Sequence, residues 1–455
     1  MTRRITPRIT RRNALRAVAV TAALPAALPL VHVRTANAAG NLSIGFWDHW
    51  VPGGNEVMEK QVQTWAGKNK VDVKSDYITG NGNKLLMTGA AEAMAKSGHD
   101  IYTFYNWEVF NQHEHLAPVD DVMKTLIASN GAPNATAEYL AKQKGHWIAV
   151  PSSCGSQTKP PCGRISWFKK NGLDLQAMYP AKAEHTKLAD AWDYEALLKY
   201  AELAHKDGMT FALGLGGNTN TDAIDQVGAM FSAFGATLID KDGAPQVKSD
   251  AVKQVLEYGA RLIKFLPSDA PAFDDASNNR ALIAGKTALI FNPPSAWAVA
   301  KRDAPDVAKD SWTFPAPKGP KGRFVPTATF FHGVWQFSKN QTAAKELLAY
   351  LMAPEQMEER SNKVEGYDLP PYTGARMNFD IWAKVEPPVG TVFNYPIRPW
   401  HDSKPNLTAW EADPEIAVQI YNRAIHTGML ARMTQGQTIA QVTDWAAREL
   451  EGFTR

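Results

Sequence analysis

Residues 99–108 read HDIYTFYNWE, and they complete the pattern that decides the fold of this chain. The first six of these residues predict a short strand because they are mainly apolar, β-branched or aromatic. Two earlier strand candidates, residues 42–46 and 71–78, alternate with helical patterns, one capped by Asn55 and one over residues 84–96. A β-α-β-α-β order predicts a mainly parallel sheet covered by helices, so the chain is predicted to be an α/β protein.

A second set of elements follows Pro151 and predicts a second α/β unit. Residues 195–206 show the apolar spacing of a helix, and residues 210–215 and 288–291 read as strands. Residues 312–322 are rich in proline, glycine and lysine and predict a loop. The length of 455 residues is enough for two or three domains.

The first 38 residues have the composition of a targeting segment. They contain seven arginines and no acidic residue, an apolar run over residues 17–31, and the small-x-small sequence Ala36-Asn37-Ala38. This pattern predicts a signal peptide over residues 1–38 and a soluble periplasmic protein. The pair Arg11-Arg12 favours a twin-arginine signal over an ordinary secretory one. The residue directly after the predicted cut is Ala39 and not a cysteine, so no lipid anchor is expected there.

The charge balance argues against two classes of partner. The full chain has 49 basic and 46 acidic residues, or +3, and removal of the seven leader arginines leaves 42 and 46, or −4. A mildly acidic protein without basic blocks is not expected to bind nucleic acid or an anionic membrane. No apolar run after residue 38 reaches the ~18 residues that a membrane span needs.

Cys154 and Cys162 are the two cysteines of the chain. In an oxidising periplasm, two cysteines eight positions apart predict a local disulfide. The alternative, a redox or metal pair, lacks the C-x-x-C spacing and an adjacent ligand set.

The sequence lacks the motifs of the common catalytic and cofactor-binding sites. It contains no G-x-S-x-G or Walker loop, and residues 214–217 lack the dinucleotide fingerprint. His113-Glu114-His115 does not have the spacing of a metalloprotease site, because residues i and i+2 of a helix face different directions. We therefore predict no catalytic residues, no metal and no cofactor.

Several segments occur in an order that is shared with a known family. They are WIAVP at 147–151, ISWFKK at 165–170, AWDYE at 191–195, DKDG at 240–243, AGKTAL at 284–289, WTFPAPKGP at 312–320 and FSKN at 337–340. Together they resemble the extracellular solute-binding proteins of ABC importers, in particular the maltose-binding-protein-like branch (family 1).

The resemblance implies the type II periplasmic binding protein fold, in which two α/β lobes joined by crossing strands close on a ligand. It places residues 39–150 and 293–335 in the N-terminal lobe, and residues 151–292 and 336–455 in the C-terminal lobe. The implied partners are a small-molecule ligand and the permease subunits at the inner membrane, with the protein itself a monomer.

Aromatic and hydrogen-bonding side chains follow the predicted strands, where open α/β sheets bind ligands. Aromatic rings offer platforms for sugar rings, and polar groups can bind hydroxyls. Residues 292–297 also correspond to a place where the maltose-binding protein has aromatic residues near its sugar. The predicted ligand contacts are Trp47, Asp48, His49, Trp50, Tyr105, Asn106, Trp107, Glu108, Asn292, Trp297, His332, Trp335, Tyr395, Arg398 and Trp400.

The function stays open between three alternatives at this point: a binding protein for a carbohydrate or polyol, a binding protein for a cationic or glycerophosphodiester ligand, and an enzyme. The resemblance and the aromatic content favour a carbohydrate or polyol. An aromatic box with Asp48 and Glu108 would instead suit a polyamine or quaternary amine, and Arg398 a glycerophosphodiester. The third alternative is a secreted carbohydrate-active enzyme that uses Asp48 or Glu108.

Overall fold

A computed structural model describes residues 40–51, 53–180, 186–217, 220–291, 293–384 and 403–452. The predicted signal peptide lies outside the described residues. The strands are β1 Asn41–Trp47, β2 Asp72–Ile78, β3 Ile101–Tyr105, β4 Lys142–Gln143, β5 His146–Trp147, β6 Val150–Ser152, β7 Pro161–Arg164, β8 Thr210–Ala212, β9 Thr287–Phe291, β10 Ser311–Thr313, β11 Lys318–Gly319, β12 Gly322–Pro326, β13 Phe330–Val334 and β14 Lys404–Asn406.

Helices cover the sheets and fill the C-terminal part of the chain. They are α1 Gly54–Asn69, α2 Lys84–Ala95, α3 Glu108–Asn111, α4 Asp120–Asn130, α5 Ala135–Ala141, α6 Ile165–Lys170, α7 Leu175–Met178, α8 Lys187–Asp190, α9 Tyr194–Lys206, α10 Thr221–Phe234, α11 Asp250–Leu262, α12 Ser277–Ile283, α13 Pro293–Asp303, α14 Pro305–Lys309, α15 Gln341–Leu351, α16 Pro354–Lys363, α17 Ile381–Lys384, α18 Pro414–Asn422, α19 Ile425–Thr434 and α20 Ile439–Glu451.

The first sheet has the strand order β2-β1-β3-β13-β6. β1 pairs in parallel with β2 and β3, as the alternating pattern of the sequence predicts. The strand β13 arrives from much later in the chain and pairs antiparallel with both β3 and β6. Because β13 is antiparallel, its first residue, Phe330, lies opposite Tyr105, the last residue of β3. This register brings the beginning of β13 to the carboxyl edge of the parallel strands.

The second sheet has the order β10-β7-β9-β8, and β8 and β9 are its parallel pair. Its edge strand β10 corrects the prediction of a loop over residues 312–322. Trp312 is buried, and the strand pairs antiparallel with β7, so an apolar residue and sheet hydrogen bonds outweigh the nearby prolines and glycines. Residues 318–319 and 322–326 also pair as strands.

The observed packing departs from the predicted lobe boundaries in two segments. The strand β10 lies in the second sheet, although residues 293–335 were assigned to the N-terminal lobe with the first sheet. The helices α15 and α16 pack against α1, next to the first sheet, although residues 336–455 were assigned to the C-terminal lobe. The other boundaries stay a prediction.

Contrary to the prediction, Asn55 does not cap the first helix. The helix begins at Gly54, and Gly53 occupies the N-cap position with a left-handed φ of 88°, which glycine adopts without strain. The Asn55 side chain instead bonds back to the preceding turn, accepting from the His49 backbone N–H at 3.0 Å and donating to Asp48 Oδ1 at 2.6 Å. The same residue therefore fixes the turn that follows β1.

The predicted disulfide is wrong, because both cysteines are free and buried. Cys162 lies in β7, opposite Ile290 on one side and Thr313 on the other, and packs in a small separate cluster of the second sheet. Cys154 belongs to the main core instead. The two thiols are thus buried in different apolar environments, although only seven residues separate them in the sequence.

No helix of the described residues combines the length and apolar character needed to cross a membrane.

Candidate functional site

A cavity of about 190 Å³ lies at the carboxyl ends of β1 and β3, lined by residues of the first sheet, of the segment 154–159, of α10 and of the C-terminal helix α18. Ligands of open α/β sheets bind at this edge, where the loops after parallel strands converge. The aromatic residues of its wall are Trp47, Trp50, Tyr102, Phe104, Tyr105, Phe330, Tyr367 and Tyr421. Its ionisable polar residues include Glu108, Lys159, Asp222 and Asp275. The wall therefore combines ring faces with charged and hydrogen-bonding groups.

The aromatic part of the wall is one packed group. The Trp47 ring stacks on Phe330 with centroids 4.5 Å apart and planes 25° apart, and Trp50 meets Trp47 edge-on at 6.3 Å. The centroid of the Tyr105 ring lies 4.9 Å from that of Phe330, with the planes tilted by 55°. Trp47 is almost fully buried, whereas Trp50 is half-buried. Trp47 and Phe330 thus support the wall, and Trp50 has more ring surface free to meet a ligand.

An ion-pair network forms the polar side of the wall. Lys159 Nζ lies 2.8 Å from Asp222 Oδ1 and 2.6 Å from Asp225 Oδ2. The Tyr105 hydroxyl donates to the same Asp225 oxygen at 3.0 Å, and Lys159 lies 5.4 Å from the centre of the Tyr105 ring. Burial lowers the pKa of Lys159, but the charges of Asp222 and Asp225 outweigh burial and raise that pKa well above its usual value. Lys159 is therefore a charged group that is already paired.

Two carboxyl groups of the cavity have strongly raised pKa values. Burial, followed by the charge of Asp222, raises the pKa of Asp275 to about 7. The Asp275 oxygens accept from the Asp222 backbone N–H at 3.0 Å and from the Thr221 hydroxyl at 3.1 Å. Burial likewise raises the pKa of Glu108 to about 7, because the neighbouring amides of Asn422 and Asn111 only partly offset the loss of solvation. Both groups exchange a proton near neutral pH.

The structure brings four of the predicted ligand contacts together at the cavity wall: Trp47, Trp50, Tyr105 and Glu108. Asp48 and His49 are not among the lining residues. Asp48 is held by Asn55, and His49 Nε2 lies 2.9 Å from Asp368 Oδ1 in a buried pair. The turn after β1 therefore directs the rings toward the cavity and its acid and histidine away from it.

Five further predicted contacts are buried away from the cavity wall: Asn106, Trp107, Trp297, His332 and Trp335. The indoles of Trp107 and Trp335 donate to the Thr408 carbonyl and to Glu92 Oε2. His332 lies between Thr103 and Ser152 inside the first sheet, and burial lowers its pKa to about 3. Position beside a strand end was not enough to expose these side chains, because large apolar rings there also fill the core.

The remaining predicted contacts, Asn292, Tyr395, Arg398 and Trp400, lie outside the described residues.

Sequence reasoning missed several residues of the wall, namely Lys159, Asp222, Asp275, Tyr367 and Tyr421. Lys159 lies in the segment between the two cysteines, which drew attention only as a disulfide loop. Asp222 is the second residue of α10, and Asn220 caps this helix with its side chain. The sequence signal was weak in each case, because single acids and tyrosines are common near helix ends.

Among the described residues, no group of three His, Cys, Asp or Glu side chains is arranged to hold a metal ion.

Comparison with known proteins places the chain in a family. Residues 56–358 match the model of the bacterial extracellular solute-binding proteins. This match covers more than half of the chain, so the protein belongs to that family, whose members serve ABC transporters. No curated protein sequence matches the chain.

Solved structures of low sequence identity share the fold. MalE3 of T. maritima with bound maltose is 16% identical, with a TM-score of 0.72 over 91% of this chain and 99% of that one. A sugar transporter protein of Arthrobacter chlorophenolicus A6 with bound laminaribiose is 16% identical, with a TM-score of 0.70 over 91% and 99%. A solute-binding protein of Agrobacterium vitis S4 with bound D-mannitol is 19% identical, with a TM-score of 0.64 over 91% and 98%. The two-lobed α/β binding-protein fold is thereby confirmed.

Proposed function

We propose that this protein binds a neutral carbohydrate or polyol in the cavity at the carboxyl ends of β1 and β3. The observation that carries the proposal is the wall itself, which combines a half-buried indole, Trp50, with carboxyl, amide and hydroxyl groups that can form hydrogen bonds. Aromatic faces suit the C–H surfaces of sugars, and paired polar groups suit hydroxyls. The ligands named for the solved structures, maltose, laminaribiose and D-mannitol, support the same class.

The cavity volume supports a small ligand. Its volume of about 190 Å³ falls below the ~300–1,000 Å³ of pockets that hold drug-sized molecules. One or two sugar units, or a linear polyol, fit this range better than a long oligosaccharide.

The electrostatics disfavour an anionic ligand such as a glycerophosphodiester. Lys159 is the one basic residue among the cavity-lining residues of the described chain, and Asp222 and Asp225 already neutralise it. Asp275 and Glu108 add further negative charge whenever they lose their protons. A phosphate placed here would meet carboxylates without a free cation.

A cationic ligand is the second candidate, and the same acidic residues favour it. An ammonium group beside Trp50 and the acids would gain cation–π and Coulomb energy. The two candidates differ in their effect on protons: a cation would expel the proton of Glu108 or Asp275, whereas a neutral polyol would leave it in place. Proton release on binding therefore distinguishes them.

We further propose that the protein is exported to the periplasm, acts as a monomer, and delivers its ligand to permease subunits without chemical change. The charge balance, the leader-like first 38 residues and the family support this role. The alternative of a glycosidase that pairs Asp48 with Glu108 loses support, since Asp48 is bonded to Asn55 and is not among the cavity-lining residues.

A thermal-shift screen tests the ligand class. The panel contains maltose, laminaribiose, D-tagatose, D-mannitol and ribitol, against choline, putrescine and glycerophosphocholine. We expect at least one sugar or polyol to raise Tm, because a ligand that binds only the folded state stabilises it. A shift with an amine and none with any sugar or polyol would refute the proposal. Mass analysis after incubation should return the sugar intact, whereas a hydrolysed product would indicate an enzyme.

A further inference from the structure

One end of the cavity holds buried polar atoms that no described protein group satisfies at bonding geometry. They are Oε1 of Glu108 and the hydroxyl of Tyr421, whose residues both line the cavity. The side-chain amide of Asn106 lies beside Tyr421 but is buried away from the cavity wall. Glu108 is 7% exposed, Tyr421 4% and Asn106 0%. More than nine in ten buried polar groups have a partner, and a missing partner costs about 1–3 kcal/mol. Such a cluster in a cavity wall indicates groups that serve a ligand.

The cluster is built from distant parts of the chain. Glu108 begins α3 directly after β3, and Tyr421 lies near the end of α18, which packs against α3. Just before α3, the Trp107 indole donates at 2.9 Å to the carbonyl of Thr408, in the segment that precedes α18. Asn106 has a left-handed φ of 51°, which lets the chain turn sharply between β3 and α3. A ligand group held here would therefore contact both the first-sheet side and the C-terminal helices.

The surroundings decide which chemical group fits. Leu86 and Ala90 of α2 line the cavity as apolar neighbours, and Asn422 and Asn111 place neutral amides beside the carboxyl. Lys159 is already paired with two aspartates. A carboxyl group, a phenol and an amide together offer both donors and acceptors. A pair of hydroxyl groups, each able to donate and accept, satisfies this mixture.

We propose that Glu108 and Tyr421 form a subsite for two neighbouring hydroxyl groups at one end of a neutral polyhydroxylated ligand, and that Glu108 determines specificity for these hydroxyls. The inference rests on the proposed function and names the part of the ligand that this end of the cavity reads. It also predicts that an analogue lacking those hydroxyls binds poorly, because the buried carboxyl and phenol would then stay unpaired.

Crystallography with a simple polyol tests the subsite before the natural ligand is known. Crystals of the protein grown or soaked with glycerol, and separately with D-mannitol, should show two hydroxyl oxygens within hydrogen-bond distance of Glu108 Oε1 and the Tyr421 hydroxyl. A site that holds only water in both cases, or in which these atoms bond to other protein groups, would overturn the inference.

Two conservative variants test the energetic role. Glu108→Gln keeps the size of the side chain, and Tyr421→Phe removes only the hydroxyl. Each should weaken binding of D-mannitol or maltose about tenfold in calorimetry. Glu114→Gln and Tyr139→Phe are matched controls at exposed positions and should leave affinity unchanged. Affinities of both variants within twofold of the wild type would exclude the subsite.

The Tm of the ligand-free Tyr421→Phe variant distinguishes a ligand-binding role of the hydroxyl from a structural one. Tyr421→Phe should keep or raise Tm, since it removes a buried hydroxyl that no described protein group meets at hydrogen-bond geometry. A clear fall in Tm would mean that the hydroxyl serves the fold and would contradict the inference.

The screen also separates this inference from the proposed function. If sugars bind and the two variants behave as the wild type, the subsite is refuted and the proposed function stands. If D-glucosamine binds at least tenfold more tightly than D-glucose, the subsite reads an ammonium group and the inference is overturned. If only amines bind, the proposed function itself has failed.

Discussion

Lys159 Nζ lies 2.6 Å from Asp225 Oδ2, and both side chains are more than nine-tenths buried. Asp225 also accepts from Tyr105, the last residue of β3, so one carboxylate joins the first sheet to α10 and to the segment that carries Lys159. Buried ion pairs add little net stability compared with apolar packing, but removal of one partner leaves a buried charge uncompensated. Removal of one member of the network should therefore destabilise the fold by more than the intact network stabilises it.

Loss of the Lys159 charge should destabilise the fold. Lys159→Met leaves Asp222 and Asp225 close together without their cation, and we expect the free energy of unfolding to fall by about 3–5 kcal/mol in urea titrations at neutral pH. Lys170→Met is the control, because Lys170 is exposed and lies 3.7 Å from Asp207. It should change stability by less than about 1 kcal/mol. Equal effects of the two substitutions would contradict a stabilising role for the network.

Trp50, in the cavity wall, and Trp410, outside it, should respond differently to truncation. Trp50 is half-buried and lines the cavity, so Trp50→Ala should weaken binding of the sugar or polyol found in the screen by about 1–3 kcal/mol. Trp410→Ala removes an exposed ring that does not line the cavity and is the control. Calorimetry that gives the same affinity for both variants would rule out Trp50 as a ligand platform.

Trp107 lies two residues after Tyr105, the last residue of β3. Its substitution should lower the stability of the fold and not the affinity for the ligand. Its ring is fully buried, and its indole N–H is bonded to the Thr408 carbonyl. Trp107→Ala should lower the free energy of unfolding by about 3–5 kcal/mol, measured by denaturant titration. A variant that keeps wild-type stability but loses affinity would restore the sequence-based view of Trp107 as a ligand contact.

The sequence predicted the elements better than it predicted the site, and the reason is the range of the interactions involved. The strands β1 to β3 follow from local alternation of apolar residues, which needs no knowledge of distant partners. The pairing of Lys159 with Asp222 joins residues far apart in the chain, and no local pattern marks it.

The exposure of the aromatic rings after the strands could not be predicted from the sequence either. Trp50 and Trp107 both follow strands of one sheet, yet only Trp50 keeps part of its ring accessible. The difference comes from α18 and the segment around Thr408, which pack over Trp107. A sequence pattern locates a strand end, but it does not show which later segment covers it.

His99 should make stability depend on pH. Burial lowers the pKa of His99, but its hydrogen bond and charge interaction with Glu92, together with those of Asp76, outweigh burial and raise it. A raised folded pKa means that the stabilisation is complete below the unfolded value of about 6.5 and is lost as pH rises through the folded value. The difference in unfolding free energy between wild type and His99→Gln should therefore shrink as pH increases above about 6.5. A difference that stays constant up to pH 9 would show that the imidazolium form is not preferred in the folded state.

The cysteines give a prediction in which the structure and the first expectation from sequence are directly opposed. Cys162 is buried in β7 and packs in the cluster of the second sheet, whereas Cys154 lies in the main core. Burial raises the pKa of both thiols to about 12, so both stay protonated and unreactive in the folded protein.

Iodoacetamide should therefore label neither cysteine under native conditions and both after denaturation without reductant, as measured by intact mass. Labelling that appears only after reduction would establish the disulfide. With free thiols, Tm should also be the same with and without reductant, because no covalent loop constrains the unfolded chain.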